Sequence, residues 1–130
     1  MASILVIEND ATFLDLLQAH LTSAGHEVRT AQDAAVGLRA VIESRPDAII
    51  LDLFVPYMHG IEMLAALRGD PATASIAVIV LTGARDDNLY ARAQKLGAAD
   101  YLTKPVQRDT LLASIDRALG GRGPGTAGHA

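Results

Sequence analysis

Three short apolar runs and a fourth strand-like segment in this chain each lead into polar or charged residues. Ile4-Leu5-Val6-Ile7 leads into Glu8-Asn9, and Ala48-Ile49-Ile50-Leu51 into Asp52. The run Ile76 to Leu81 ends in Thr82, and Ala98 to Leu102 in Thr103-Lys104. A carboxylate such as Asp52 can attack phosphorus and carry the group as an aspartyl-phosphate. Glu8 and Asp52 against Lys104 make a net negative pocket. Its oxygen ligands suit Mg²⁺, which takes one or two carboxylates and keeps several waters. The Lys104 ammonium can reach a phosphoryl oxygen as a point charge, and the Thr82 hydroxyl can donate to another. Phosphoryl transfer asks mainly for positioning and electrostatic stabilisation, and these groups supply both.

That chemistry requires the chain to bring four strand ends together. The runs at 4–7 and 48–51 have no polar break, as expected for parallel strands buried on both faces. Pro56 is expected to stop regular pairing beyond Asp52. His26 to Ala31 alternates weakly, with Val28 in and Arg29 out, and reads as an edge strand. Between the strands, Phe13, Leu14, Leu17 and Leu21 recur at helical spacing. Asn9 or Asp10 is placed to cap that helix, and Gly25 falls just past its end. Further helices are expected over Ala34–Glu43, through Ile61, Met63, Leu64 and Leu67, from about Leu89 to Leu96, and over Val106–Leu119. Tyr57 to Gly60 is expected to be a loop. Five strands alternating with five helices make an α/β protein with helices on both faces of a parallel sheet. Sites in such sheets lie outside the carboxyl ends of the strands, where the winding reverses. Of the two common windings, the order 2-1-3-4-5 puts Glu8, Asn9 and Asp52 on one crevice, joined by Thr82 and Lys104 from the next two strands.

Composition narrows the classes. The 130 residues fit one domain, and half of them are hydrophobic. There is no cysteine, so no disulfide frame or thiolate chemistry. The net charge of −4, without a Lys/Arg run, argues against a nucleic-acid surface. No stretch reaches membrane-spanning length, and the start has neither a basic n-region nor an apolar h-region. A cytoplasmic protein is expected. Residues 1–120 read as the domain and 121–130 as a flexible Gly-rich tail. His20, His26, His59 and His129 have no metal-ligand spacing.

Taken together, ILVIEND, ILDLFVP, VIVLTG and GAADYLTKP, in this order, resemble the receiver domain of two-component response regulators over residues 3–119. The resemblance implies a flavodoxin-like three-layer sandwich and a phosphorylation-dependent switch that is no enzyme beyond its own phosphorylation and dephosphorylation. It implies Asp52 as phosphoacceptor, Thr82 as switch hydroxyl, Lys104 as phosphate-binding lysine and Tyr101 as rotating aromatic. Mg²⁺ would be held by Glu8, Asn9, Asp52 and the main-chain carbonyl of Phe54, and Lys104-Pro105 would be a cis step. A sensor histidine kinase or histidine phosphotransfer protein would be the donor. A downstream protein, or a second copy, would bind the face formed by helix 4, strand 5 and helix 5, with no role for nucleic acid or membrane. The departures are specific. Asn9 stands where the family usually has a second acid, which should weaken Mg²⁺ binding. Phe54 and Ala84 flank the site with apolar groups, pointing to a long-lived phosphoryl group. Three rivals remain: a degenerate receiver that binds proteins without phosphorylation, a haloacid-dehalogenase-type phosphatase, which lacks its second Asp because Phe54 holds that place, and a flavodoxin-like cofactor binder.

Overall fold

The computed structural model describes residues 2–83 and 86–120. Ala84 and the stretch 121–130, on which two of these expectations fall, lie outside the described residues. Strands β1 (Ser3–Ile7), β2 (Glu27–Ala31), β3 (Ala48–Asp52), β4 (Ala77–Thr82) and β5 (Asp100–Thr103) form one parallel sheet in the order β2-β1-β3-β4-β5. Helices α1 (Ala11–Ser23), α2 (Ala34–Glu43), α3 (Gly60–Gly69), α4 (Asp87–Lys95) and α5 (Arg108–Gly120) connect or follow them. This is the flavodoxin-like sandwich expected from the sequence.

Side chains alternate along each strand, so the sheet feeds two cores. Leu5, Ile7, Ile49, Leu51, Val78 and Val80 pack with residues of α2, α3 and α4. Ile4, Val6, Ile50, Ile79 and Leu81 pack with Leu14, Leu17 and Leu21 of α1 and Leu111 and Ile115 of α5. Every residue of β3 and β4 is buried, which is why those runs carry no polar break. Burying each such aliphatic side chain contributes roughly 1.5–3 kcal/mol.

Capping follows the sequence closely. Asp10 caps α1, accepting from the Thr12 and Phe13 N–H groups, and Asp86 caps α4 in the same way. Gly25 takes the left-handed φ of 92° that a chain leaving a helix favours. Two expectations need correction. Pro56 does not end pairing: Phe54–Val55 and Met58–His59 form a short antiparallel hairpin beyond Asp52. Pro56 and the left-handed Tyr57 (φ 78°) occupy its turn, where a type II turn wants proline followed by a positive φ. Arg29 is not out in solvent either. Its guanidinium donates to the carbonyls of Ala40 and Ser44 and so ties the edge strand to the end of α2.

Candidate functional site

Asp52 is the last residue of β3 and is 6% exposed. Two local features hold it. The N–H of Phe54 donates to Asp52 Oδ1 at 3.1 Å, and the start of α3 lies directly against the strand end. There the Gly60 N–H donates to the Leu53 carbonyl at 2.8 Å. A Cβ on Gly60 would fall 2.6 Å from Leu53 Cα and 3.0 Å from the Asp52 carbonyl oxygen. Glycine is therefore required by close approach of backbone to backbone.

Glu8 follows β1 and is 2% exposed. It shares parity with Ile4 and Val6, as Asp52 does with Ile50, so both carboxylates face the α1 and α5 side. Lys104 follows β5, where its N–H donates to the Thr82 carbonyl at 2.8 Å and its bond to Pro105 is cis. Its Nζ lies 2.6 Å from Glu8 Oε1, 3.1 Å from Asp52 Oδ2 and 4.8 Å from the centroid of the Phe13 ring. One ammonium thus sits between two buried carboxylates. Burial pushes the Glu8 carboxyl up, and the Asp52 charge adds to this, while Lys104 and the Asp10 N–H pull it back only partly. For Lys104, burial alone would lower the ammonium, but its hydrogen bonds and charge contacts with Glu8 and Asp52 outweigh that and raise it.

The other predicted site residues are not in this knot. Thr82 pairs with Thr103 at the end of β4 and shares parity with Val78 and Val80, on the α2–α3–α4 side. It is fully buried, and its hydroxyl has no hydrogen-bond partner among the described residues. Tyr101 lies on that side too, its ring edge-on to Tyr90 with centroids 5.2 Å apart and its hydroxyl buried. Asn9 is exposed. Phe54 is 55% exposed and stands edge-on to the His59 ring at 5.2 Å. Two contacts went unread in the sequence: the Phe13 ring against Lys104, and the Asp10 N–H, which donates to Glu8 Oε2 at 2.8 Å. Phe13 stands three residues after the cap Asp10, but in sequence it reads as one more helix-core residue.

The sequence model of the response regulator receiver domain matches residues 4–116. The chain belongs to that family. The receiver domain is 33% identical to the protein PilH of Pseudomonas aeruginosa over 121 residues, 93% of this chain and 100% of PilH. It is 40% identical to the transcriptional regulatory protein KdpE of Mycobacterium tuberculosis over 119 residues, 92% of this chain but 51% of KdpE. The chain thus spans the whole of one relative and about half the length of several others. Among solved structures, the chemotaxis protein CheY4 of Vibrio cholerae superimposes with a TM-score of 0.86 at 29% identity, covering 92% of this chain and 99% of that one. A receiver domain protein from Clostridium thermocellum gives 0.85 at 35% identity, covering 92% and 95%. Receiver domains are switches controlled by phosphorylation of an aspartate that signal through protein contacts. They are not enzymes beyond the chemistry of their own phosphoryl group.

Receiver domains generally use Mg²⁺. Among the described residues there is no cluster of three or more His, Cys, Asp or Glu that could hold a metal ion. The donor set nevertheless fits this cation. Glu8 and Asp52 are buried carboxylates with a single ammonium between them, leaving one negative charge uncompensated, and Mg²⁺ is satisfied by one or two carboxylates. No helix among the described residues is long and apolar enough to cross a membrane.

Proposed function

We propose that Asp52 accepts a phosphoryl group from the phosphohistidine of a sensor histidine kinase or histidine phosphotransfer protein. The observation that carries this reading is a buried strand-end carboxylate, Asp52, held 3.1 Å from Lys104 at the sheet's winding reversal. An Asp52 carboxylate oxygen bonds to phosphorus as the P–N bond to the donor imidazole breaks. The imidazole nitrogen keeps the electron pair and takes a proton. Glu8, Asn9, the Asp52 side chain and the Phe54 main-chain carbonyl would hold Mg²⁺, whose charge offsets that of the transferring group. Lys104 follows a phosphoryl oxygen, and Glu8 keeps the ammonium in the site as it does so.

The Thr82 hydroxyl, buried without a partner among the described residues, gains one from another phosphoryl oxygen. Because Thr82 belongs to the opposite sheet face, its turn toward the phosphoryl group biases the packing beside Tyr101 and Tyr90. The element next to it is held loosely: in α4 one residue of nine, Ala93, is buried. The output surface is then the α4–β5–α5 face, presented to a downstream protein or to a second copy, within a receiver domain spanning residues 1–120. A cytoplasmic location and no direct role for nucleic acid or membrane go with this reading.

Asn9 favours a second reading, a receiver that binds its partner without phosphorylation because its metal site is short of a charge. Mass spectrometry after incubation with acetyl phosphate and Mg²⁺ separates the two. One phosphoryl adduct, lost in Asp52→Ala, is expected; no adduct on the wild type refutes the first reading and leaves the second.

A further inference from the structure

Lys104 is held by more than its two carboxylates. The Phe13 ring lies under the ammonium with its centroid 4.8 Å from Nζ, within the reach of a cation–π interaction. The ring is not there by chance of rotamer alone, because its backbone is tied to the same site. The Phe13 N–H donates to Asp10 Oδ1 at 3.2 Å, the Asp10 N–H donates to Glu8 Oε2 at 2.8 Å, and Glu8 Oε1 meets Lys104 Nζ at 2.6 Å. Glu8, Asp10, Phe13 and Lys104 therefore close a ring of contacts, in which the first turn of α1 and the end of β5 are joined through one ammonium.

We propose that Phe13 is a positioning residue for Lys104, with its π face keeping the ammonium in the crevice when Asp52 gives up that contact on phosphorylation. The physical need is specific to this chain. A neutral amide stands at position 9, so Glu8 and Asp52 are the two carboxylates against the ammonium, and once Asp52 is phosphorylated Glu8 is the one carboxylate left to hold it beside the phosphoryl oxygen that it follows. An aromatic face supplies negative electrostatic potential without adding a formal charge that would repel a phosphoryl group. The packing of Phe13 against the α1–α5 core cluster keeps the ring from following solvent.

This inference rests on Asp52 being the acceptor, and the test keeps the two apart. The chain has two lysines, Lys95 and Lys104, so ¹³C-lysine labelling gives an assigned pair in which exposed Lys95 is the reference. The Lys104 Hε protons are expected upfield of those of Lys95, with the displacement lost in Phe13→Leu and Phe13→Met and retained in Phe13→Tyr. Phosphoryl uptake from acetyl phosphate with Mg²⁺ is expected to slow by about three- to tenfold in the Leu and Met variants and to recover in the Tyr variant. Leu and Met differ in shape but both lack a ring, so a common loss in both reports the π face and not packing. No upfield displacement in the wild type, or unchanged uptake in Phe13→Leu, overturns the proposal. A wild type that takes up no phosphoryl group refutes Asp52 as acceptor, and the Lys104 shift then decides by itself whether Phe13 holds the ammonium.

Discussion

Replacing Lys104 by Met tests the electrostatic core of the site without reference to phosphorylation. At an effective dielectric constant of about 20, contacts at 2.6 and 3.1 Å correspond to roughly 6 and 5 kcal/mol of Coulomb attraction. Most of that is offset by taking three charged groups partly out of water, so the sum is not the net stabilisation. Removing one partner is different, because it leaves Glu8 (2% exposed) and Asp52 (6% exposed) facing each other uncompensated. Breaking a buried pair in this way costs about 3–5 kcal/mol, and the 23% exposure of the Lys104 side chain puts the expectation near the lower end, about 3 kcal/mol near neutral pH. The pH dependence carries a sign. Glu8 is already raised by burial and by Asp52, and loss of the ammonium raises it further. A carboxyl raised on folding binds its proton more tightly in the folded state. Its unfavourable contribution is therefore absent below the unfolded value and grows as pH rises toward the folded one. Urea unfolding followed by circular dichroism at about pH 5 and about pH 7.5 should show a larger loss at the higher value. A second check is coupling: in a Glu8→Gln background the cost of Lys104→Met should shrink by about 1 kcal/mol or more. A loss under about 1 kcal/mol, or one independent of pH, would refute this account of the site.

Three further outcomes follow from particular contacts. Gly60→Ala should cost about 1–3 kcal/mol in denaturant unfolding, because its Cβ meets the backbone of Leu53 and Asp52, which cannot give way as the nearby Leu53 Cδ2 can; a neutral effect would show that α3 can slide away from β3. At the start of β5, burial alone would raise Asp100, but the Ser114 hydroxyl at 2.7 Å, the Tyr101 N–H and Arg117 outweigh it and hold the carboxyl down. A depressed carboxyl stabilises above its unfolded value and loses that contribution as pH falls through the folded one, so Ser114→Ala should cost about 1 kcal/mol at neutral pH and converge on the wild type in acid, as read from melting temperatures in a pH series. Asn9→Asp should tighten Mg²⁺ binding by about tenfold, followed by amide shifts of Glu8 and Asp52 on titration, whereas an unchanged titration would remove position 9 from the ligand set.

The winding and the meeting of Glu8, Asp52 and Lys104 were legible because unbroken apolar runs and strand-end polarity are coarse signals. Finer features failed for identifiable reasons. Ala98 and Ala99 read as strand, yet the ladder of β5 starts at Asp100, with the Ala99 N–H bonding the Val78 carbonyl ahead of it; two alanines carry no periodicity from which to tell lead-in from strand. The last helix was expected from Val106, but that residue is buried as an anchor before the helix begins at Arg108. From sequence Pro56 reads as a stop because a proline in a strand usually is one; in the structure it sits in the turn of the hairpin, where its fixed φ is an asset. At the site, topology predicts which strand ends converge but not which face each side chain takes. Thr82 is one register step beyond Leu81, the partner of Asp52, and a step of one residue reverses the face.

That reversal and the missing acid at position 9 bear on the same question, how charge is balanced before and after phosphorylation. Two carboxylates against Lys104 leave one net negative charge, and an acid at position 9 would leave two. The first state binds a divalent cation less strongly than the second, which is the cost of Asn9 in the resting protein. The phosphorylated state reverses the preference. A phosphorylated side chain carries close to two negative charges at neutral pH, roughly one more than the carboxylate it replaces. Glu8, phosphorylated Asp52, Lys104 and a divalent cation then sum to near neutrality, whereas an acid at 9 would leave an excess negative charge in a site where Glu8 already pays for burial. If Asp52 is the acceptor, as proposed, Asn9 would not disable the switch. It would move the favourable charge balance from the resting state to the phosphorylated one, and make the uncharged holding group, the Phe13 ring beneath Lys104, the more consequential.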